Sequence, residues 1–236
     1  MVLPKNSLTA LDLWNIWLLC LSCAVLNIFI PIGGRIDQFF SAPWVSPVGD
    51  YTYMNNPYLV SIGHYGLKYV VIFIAVMHLI ILIYLKMNKK NPRLQKICMM
   101  VLLSMACSVS YIAVLKSFSA HACPWSMVSI HLGHVQWLQD MQTSARCFPG
   151  GHASGGFSLI ILFFAYRHDY PRLARIGLTI ALVLGFMMSW VQMVRGAHFL
   201  SHNLWSLWWS WLVAFIIYKA FRRFFLGFKP LAVEHS

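Results

Sequence analysis

The sequence predicts an all-α, polytopic membrane protein with about six transmembrane helices and an active site at one membrane face. Three observations carry that reading. Hydrophobic residues make up 59% of the chain and charged residues only 10%, against about 25% charged in an ordinary soluble domain. The apolar residues come in long runs, and a helix needs about 20 of them to cross a hydrocarbon core. The basic residues cluster in alternate connections between those runs, as they do where positive charge is retained on the cytoplasmic side.

The runs fall at 13–32, 69–85, 97–115, 152–166, 176–194 and 204–220. The first follows Lys5, but its apolar part exceeds the roughly 7–15 residues of a signal-peptide core. No A-x-A-like cleavage site follows "NIFIPIGG", so it reads as a retained span. The fourth is the shortest and contains Gly155 and Gly156, which makes it the weakest helix of the set. No internal repeat or low-complexity segment appears, and residues 1–236 read as a single integral-membrane domain.

The formal charge of +12 would fit nucleic-acid binding if it formed one patch. It does not. Lys86, Lys89, Lys90, Arg93 and Lys96 lie between runs two and three, and Arg167, Arg172 and Arg175 between four and five. Lys219, Arg222, Arg223 and Lys229 close run six, and Lys5 precedes run one. This is a topology signal attracted to anionic lipid, with no nucleic acid implied. Both termini are then cytoplasmic, and in a bacterial inner membrane the opposite side is the periplasm. The outer side holds residues 33–67 and 116–151 and the link between runs five and six.

Three polar segments converge on that side: "LKSFSAHACPW" with Lys116, "ARCFPGGHAS" with Arg146 and His152, and "QMVRGAHFLSH" with Gln192, Arg195, His198 and His202. A continuous helix through the third would set Arg195, His198 and His202 on one stripe, on condition that Gly196 does not break it. Cations and imidazoles together suit a phosphate ester. Cationic and N–H donors surround the charge. One imidazole attacks phosphorus, and a second, protonated, gives its proton to the leaving oxygen.

On these residues the sequence resembles the type 2 phosphatidic acid phosphatase family of membrane lipid phosphatases, whose pattern is K-x6-R-P, P-S-G-H and S-R-x5-H-x3-D. Lys116 and Cys123-Pro124 have the first spacing, with cysteine where arginine is usual. Pro149-Gly150-Gly151-His152 matches the second, with glycine for serine. His198 fills the third motif's histidine, while Gln192 replaces its arginine and His202 its aspartate. The "HACPW" and "RCFPGGHASGGF" segments are also similar to a membrane-associated subgroup. The resemblance implies His198 as nucleophile, His152 as general acid and Lys116 as phosphate ligand. Around them, Arg146, Arg195 and Gly151 are expected to complete the phosphate site. His202, or Asp140 on the outer loop, is expected to orient His198. No metal or cofactor is expected.

The implied activity is dephosphorylation of a membrane lipid phosphate or diphosphate through a phosphohistidine. The substrate candidates are an isoprenyl diphosphate, a lipid A phosphate or a glycerophospholipid phosphate. A phosphotransferase using the same intermediate is the alternative enzyme. A non-enzymatic transporter would place polar residues through the depth of several spans, whereas these gather at one boundary.

The remaining features read as structural. His78, within run two, is expected to be a buried hydrogen-bonding ring. His121, His131 and His134 lack the paired spacing of a zinc site. Trp205, Trp208, Trp209 and Trp211 form a packing cluster or an interface belt. Residues 33–67 form either a surface-lying segment or an ordinary structured loop. Cys20, Cys23, Cys98 and Cys107 lie in apolar runs, so the two outer cysteines, Cys123 and Cys147, are predicted to pair in an oxidising compartment.

Overall fold

A computed structural model describes residues 8–138 and 145–224. Five of its helices are long and apolar enough to cross a membrane. We number the elements in chain order. Helix α1 is Ala10–Phe29, α2 is Arg35–Ser41, and α3 is Leu67–Met87, entered through a π-helical stretch, Leu59–Gly66. Helix α4 is Pro92–Ser117. A hairpin of β1, Val128–His131, and β2, His134–Trp137, precedes α5, Gly151–Phe157, and α6, Ile161–Tyr166. Helices α7, Pro171–Val194, and α8, Leu200–Phe224, complete the chain. Five of the six expected runs fall in these long helices, and the fourth, 152–166, falls in the shorter Gly151–Tyr166.

Helix starts follow the local chemistry. Thr9 and Asp12 form a reciprocal capping box on α1, which satisfies backbone donors that a helix cannot. Helix α4 begins with Asn91 accepting from the Leu94 amide and Pro92 in the first turn. Helix α7 likewise opens on Pro171, where a missing N–H costs nothing.

The fourth run is where sequence and structure differ in form. Gly151–Tyr166 is a helix interrupted by a 3₁₀ turn at Ser158–Ile160. At 1.5 Å per residue it reaches about 24 Å, short of a roughly 30 Å core. It need not meet lipid along its length, because it is the centre of the bundle. Ala153, Phe157, Leu159, Ile160, Ile161 and Phe164 are all fully buried, enclosed by α3, α4, α7 and α8. Its glycines permit this: a Cβ at Gly156 would stand 2.5 Å from the Gly185 nitrogen on α7. Within a membrane, where lipid tails are as apolar as leucine, such small-residue crossings supply the packing.

Helix α1 adds Leu19 to this core and is pinned to α8 by polar contacts. The buried Asp12 pairs with Lys219 at 2.7 Å, Trp211 Nε1 donates to Asn15 Oδ1, and Trp208 Nε1 donates to the Leu19 carbonyl. Two of the four tryptophans thus act as packing residues with a polar handle. His78 behaves as expected, its ring nitrogens bonded to the Ile74 carbonyl and the Tyr166 hydroxyl.

The crossing of α5 and α7 is testable. Gly156→Ala is expected to lower stability by about 1–3 kcal/mol, the usual cost of overpacking, read as a lower unfolding midpoint in detergent. Gly155→Ala is expected to be tolerated, since its Cβ would make an ordinary 3.6 Å contact with Met188.

Candidate active site

The N-terminal ends of α3, α5 and α8 and the C-terminal ends of α4 and α7 meet at one end of the bundle. The break between α7 and α8 creates the site. Gly196 takes φ +71°, its amide bonds the Met193 carbonyl, and the Ala197 amide bonds the Gln192 carbonyl. That is a Schellman stop. A side chain at 196 would also strike the Tyr51 ring. The single stripe of Arg195, His198 and His202 therefore does not form: Arg195 ends α7, His198 lies in the turn, and His202 sits in the first turns of α8. Helix α8 starts against a buried carboxylate. Asp37 of α2 accepts from the Ser201 amide (2.8 Å), the Ser201 hydroxyl and the Gly33 amide. Burial pushes the Asp37 carboxyl up to about 6, against the pull of those bonds.

His198 is buried, and its Nδ1 lies 2.7 Å from the Cys147 carbonyl. A carbonyl only accepts, so Nδ1 carries the proton and Nε2 keeps its lone pair. His202 does not take the orienting role expected of it. Its ring centre is 5.9 Å from that of His198, and the ring is fully buried. The backbone of Cys147 supplies the acceptor. Asp140, the other expected acceptor, lies outside the described residues.

Cys147 is held in place for this. It forms the disulfide with Cys123, at a Cα separation of 5.2 Å, and its amide bonds the His121 carbonyl. A closed loop of this length contributes about 3 kcal/mol on a chain-entropy account. Downstream, the Gly150 amide bonds the His202 carbonyl, and the Gly150 carbonyl accepts from the Ser206 hydroxyl. The Pro-Gly-Gly turn is thus tied to α8 on both sides. A Cβ at Gly150 would collide with Asn203 Oδ1, so Asn203 explains glycine where the resembled motif has serine.

Lys116, in the last turn of α4, is half-buried, its Nζ 3.7 Å from where a Gly151 Cβ would lie. His152, on the first turn of α5, stacks on His64 with ring centres 3.6 Å apart, and among the described residues its buried Nε2 has no hydrogen-bond partner. Arg195 is engaged: Nε donates to the Met54 carbonyl at 3.0 Å, and Nη1 lies 3.3 Å from His64 Nδ1. Arg146 is exposed beside Cys147. The structure thus brings together Lys116, Gly151, His152, His198 and His202, with Arg195 joined to them through His64. Sequence reasoning missed Asp37, Met54 and His64. All three come from residues 33–67, where only an ionisable histidine flanked by glycines in "SIGHYG" offered a signal.

The sequence model of the PAP2 superfamily matches residues 97–226. The chain belongs to the PAP2 superfamily. That membership places its chemistry in the lipid-phosphatase class. A similar solved structure is the crystal structure of the first transmembrane PAP2-type phosphatidylglycerolphosphate phosphatase from Bacillus subtilis, at 16% identity and a TM-score of 0.55. The match covers 92% of this chain and 98% of that one, and it bears out the fold. No curated protein matches the sequence.

Burial, and then the nearby Lys116 charge, hold His198 down at about 3, against the opposing bond to Cys147. Its folded value is depressed below the ordinary 6.5, so the neutral ring's contribution to stability is present above pH 6.5. It is lost as the pH falls from there towards 3. The unfolding midpoint of the wild type is expected to drop over that window more steeply than that of His198→Gln. Parallel curves would show that His198 is not buried as a neutral base.

Proposed function

We propose that this PAP2 lipid phosphatase hydrolyses a membrane lipid phosphate or diphosphate through a phosphohistidine on His198. The observation that carries this is the 2.7 Å bond from His198 Nδ1 to Cys147, which leaves Nε2 unprotonated in a site that also holds Lys116 and His152. In the first step Nε2 attacks phosphorus, the bond from phosphorus to the lipid oxygen breaks, and His152 gives that oxygen its proton. In the second, water attacks the phosphohistidine, His152 takes the water's proton, and His198 is released with inorganic phosphate. Lys116, the Gly151 backbone and the donors of Arg195 not held by Met54 and His64 stabilise the equatorial oxygens. Arg146 adds positive charge at the rim. His202 packs beside the nucleophile against Phe148 and Phe199.

The substrate's tails have a place to lie. An apolar groove lined by Phe40, Leu59, Ile62, Phe186, Met187 and Trp190 also includes Gly63 and Val191, the residues next to His64 and Gln192. This supports a lipid whose chains stay in the bilayer while its phosphate reaches the histidines. Isoprenyl diphosphates, lipid A phosphates and glycerophospholipid phosphates all have that form, and phosphatidylglycerol phosphate is what the similar Bacillus protein is described as dephosphorylating. The Cys123–Cys147 disulfide supports an oxidising compartment for the site. With the basic connections on the other side, the reading is a bacterial inner-membrane protein with cytoplasmic termini and a periplasmic site. The whole chain, 1–236, then acts as one phosphatase domain.

Purified protein given a panel of these lipid phosphates in detergent is expected to release inorganic phosphate, with activity retained in EDTA. His198→Ala is expected to abolish turnover and the acid-labile phosphoenzyme. His152→Ala is expected to retain far more activity on a substrate with a good leaving group, which needs little protonation, than on a lipid. Full activity in folded His198→Ala, or loss in EDTA restored by a divalent ion, would refute this mechanism.

A further inference from the structure

His64 lies outside the residues matched to the superfamily and outside every motif of the resemblance, yet it is built into the site. Its protonation can be read from its partners. Nδ1 lies 3.3 Å from Arg195 Nη1 and 3.1 Å from Gln192 Nε2. A guanidinium only donates, so Nδ1 must be the acceptor, and that in turn requires Gln192 to present its amide N–H. His64 is therefore a neutral imidazole with its proton on Nε2. Among the described residues, no hydrogen bond of the protein uses that Nε2–H.

The stacked pair divides its labour on the same ground. Two imidazolium rings with centres 3.6 Å apart would repel strongly. His64 also cannot take a proton on Nδ1 without losing both donors. The proton needed for leaving-group departure falls to His152, and His64 stays a neutral donor beside it.

Gln192 occupies the position where the resembled motif carries arginine, so the phosphate site lacks one strong N–H donor. It is Gln192 that holds His64. We propose that His64 is a further catalytic residue, its Nε2–H donating to an oxygen of the transferring phosphate in place of that arginine. Gln192 and Arg195 are its positioning residues. The inference rests on the phosphatase reading of the site, and the π-helical stretch that delivers His64 fits the frequent use of such turns at functional positions.

The test compares wild type, His64→Ala, His64→Gln and Gln192→Ala in detergent, by turnover of a diacylglycerol phosphate and by binding of orthovanadate, a phosphate mimic that needs no turnover. Loss of one donor to the reacting oxygens costs about 10²–10³-fold. His64→Ala is expected to lose about that factor in kcat and to bind vanadate at least about tenfold more weakly, with its unfolding midpoint unchanged. His64→Gln, which keeps an N–H donor, is expected to recover part of both, and Gln192→Ala to lose less than His64→Ala. If His64→Ala binds vanadate and turns over as the wild type does, the inference is overturned. The same holds if His64→Gln is no better than alanine in a folded protein. A wild type that hydrolyses no lipid phosphate would refute the proposed function instead, while the vanadate comparison would still decide the role of His64.

Discussion

The bond from His198 Nδ1 to the Cys147 carbonyl joins the two halves of this site, and most of the surrounding structure serves to keep its ends in place. One end is a ring in the turn between two membrane helices. The other is a backbone oxygen on a loop just before a glycine-rich turn. Neither position is rigid by itself. The carbonyl is held by the disulfide to Cys123 and by the amide bond to His121. The ring is held by the Schellman stop at Gly196 and by Asp37 capping the start of α8. A buried carbonyl as acceptor fixes the tautomer as a carboxylate would, without placing a further negative charge near the phosphate.

Seen from that bond, the departures from the resembled motif compensate for one another. Cysteine at 123 removes an arginine but anchors residue 147, whose carbonyl accepts from the ring of His198 in a chain whose matching motif position lacks the aspartate. Glycine at 150 removes a serine hydroxyl but admits Asn203 against the turn. Glutamine at 192 removes a second arginine but can hold His64, which a guanidinium at that position could not do together with Arg195, since two cations would crowd one ring nitrogen. These exchanges are local, and each is visible only as a contact between segments far apart in the chain.

The membrane imposes the larger plan. Polar groups inside a bilayer must be paired or enclosed, and here they are sorted by depth. The middle of the bundle packs glycine against glycine and phenylalanine against phenylalanine around the α5–α6 helix. The ionisable and amide groups of the site sit at helix ends, where broken backbone is tolerated because protein surrounds it, while His78 in the middle of α3 is paired with the Ile74 carbonyl and the Tyr166 hydroxyl. Residues 33–67 complete that enclosure by laying Asp37, Met54 and His64 against α7 and α8.

By itself the sequence determined the membrane class, the spans and the pairing of Cys123 with Cys147. Hydrophobic run length, charge asymmetry and the small number of outer cysteines are properties of local composition, and local composition is enough for them. It also determined that Lys116, His152 and His198 meet at one end, because alternating spans leave the ends of those segments on one side. Tertiary structure alone decided which acceptor orients His198, that Arg195 and His202 leave the expected stripe, and that His64 belongs to the site. The first was illegible because a backbone carbonyl has no residue type to mark it. The second turned on the left-handed φ at Gly196, a torsion that glycine permits but does not require. His64 was hidden because its neighbours Gln192 and Arg195 lie more than a hundred residues away, and only the packing of the π-helical stretch Leu59–Gly66 against α7 brings those donors to its ring.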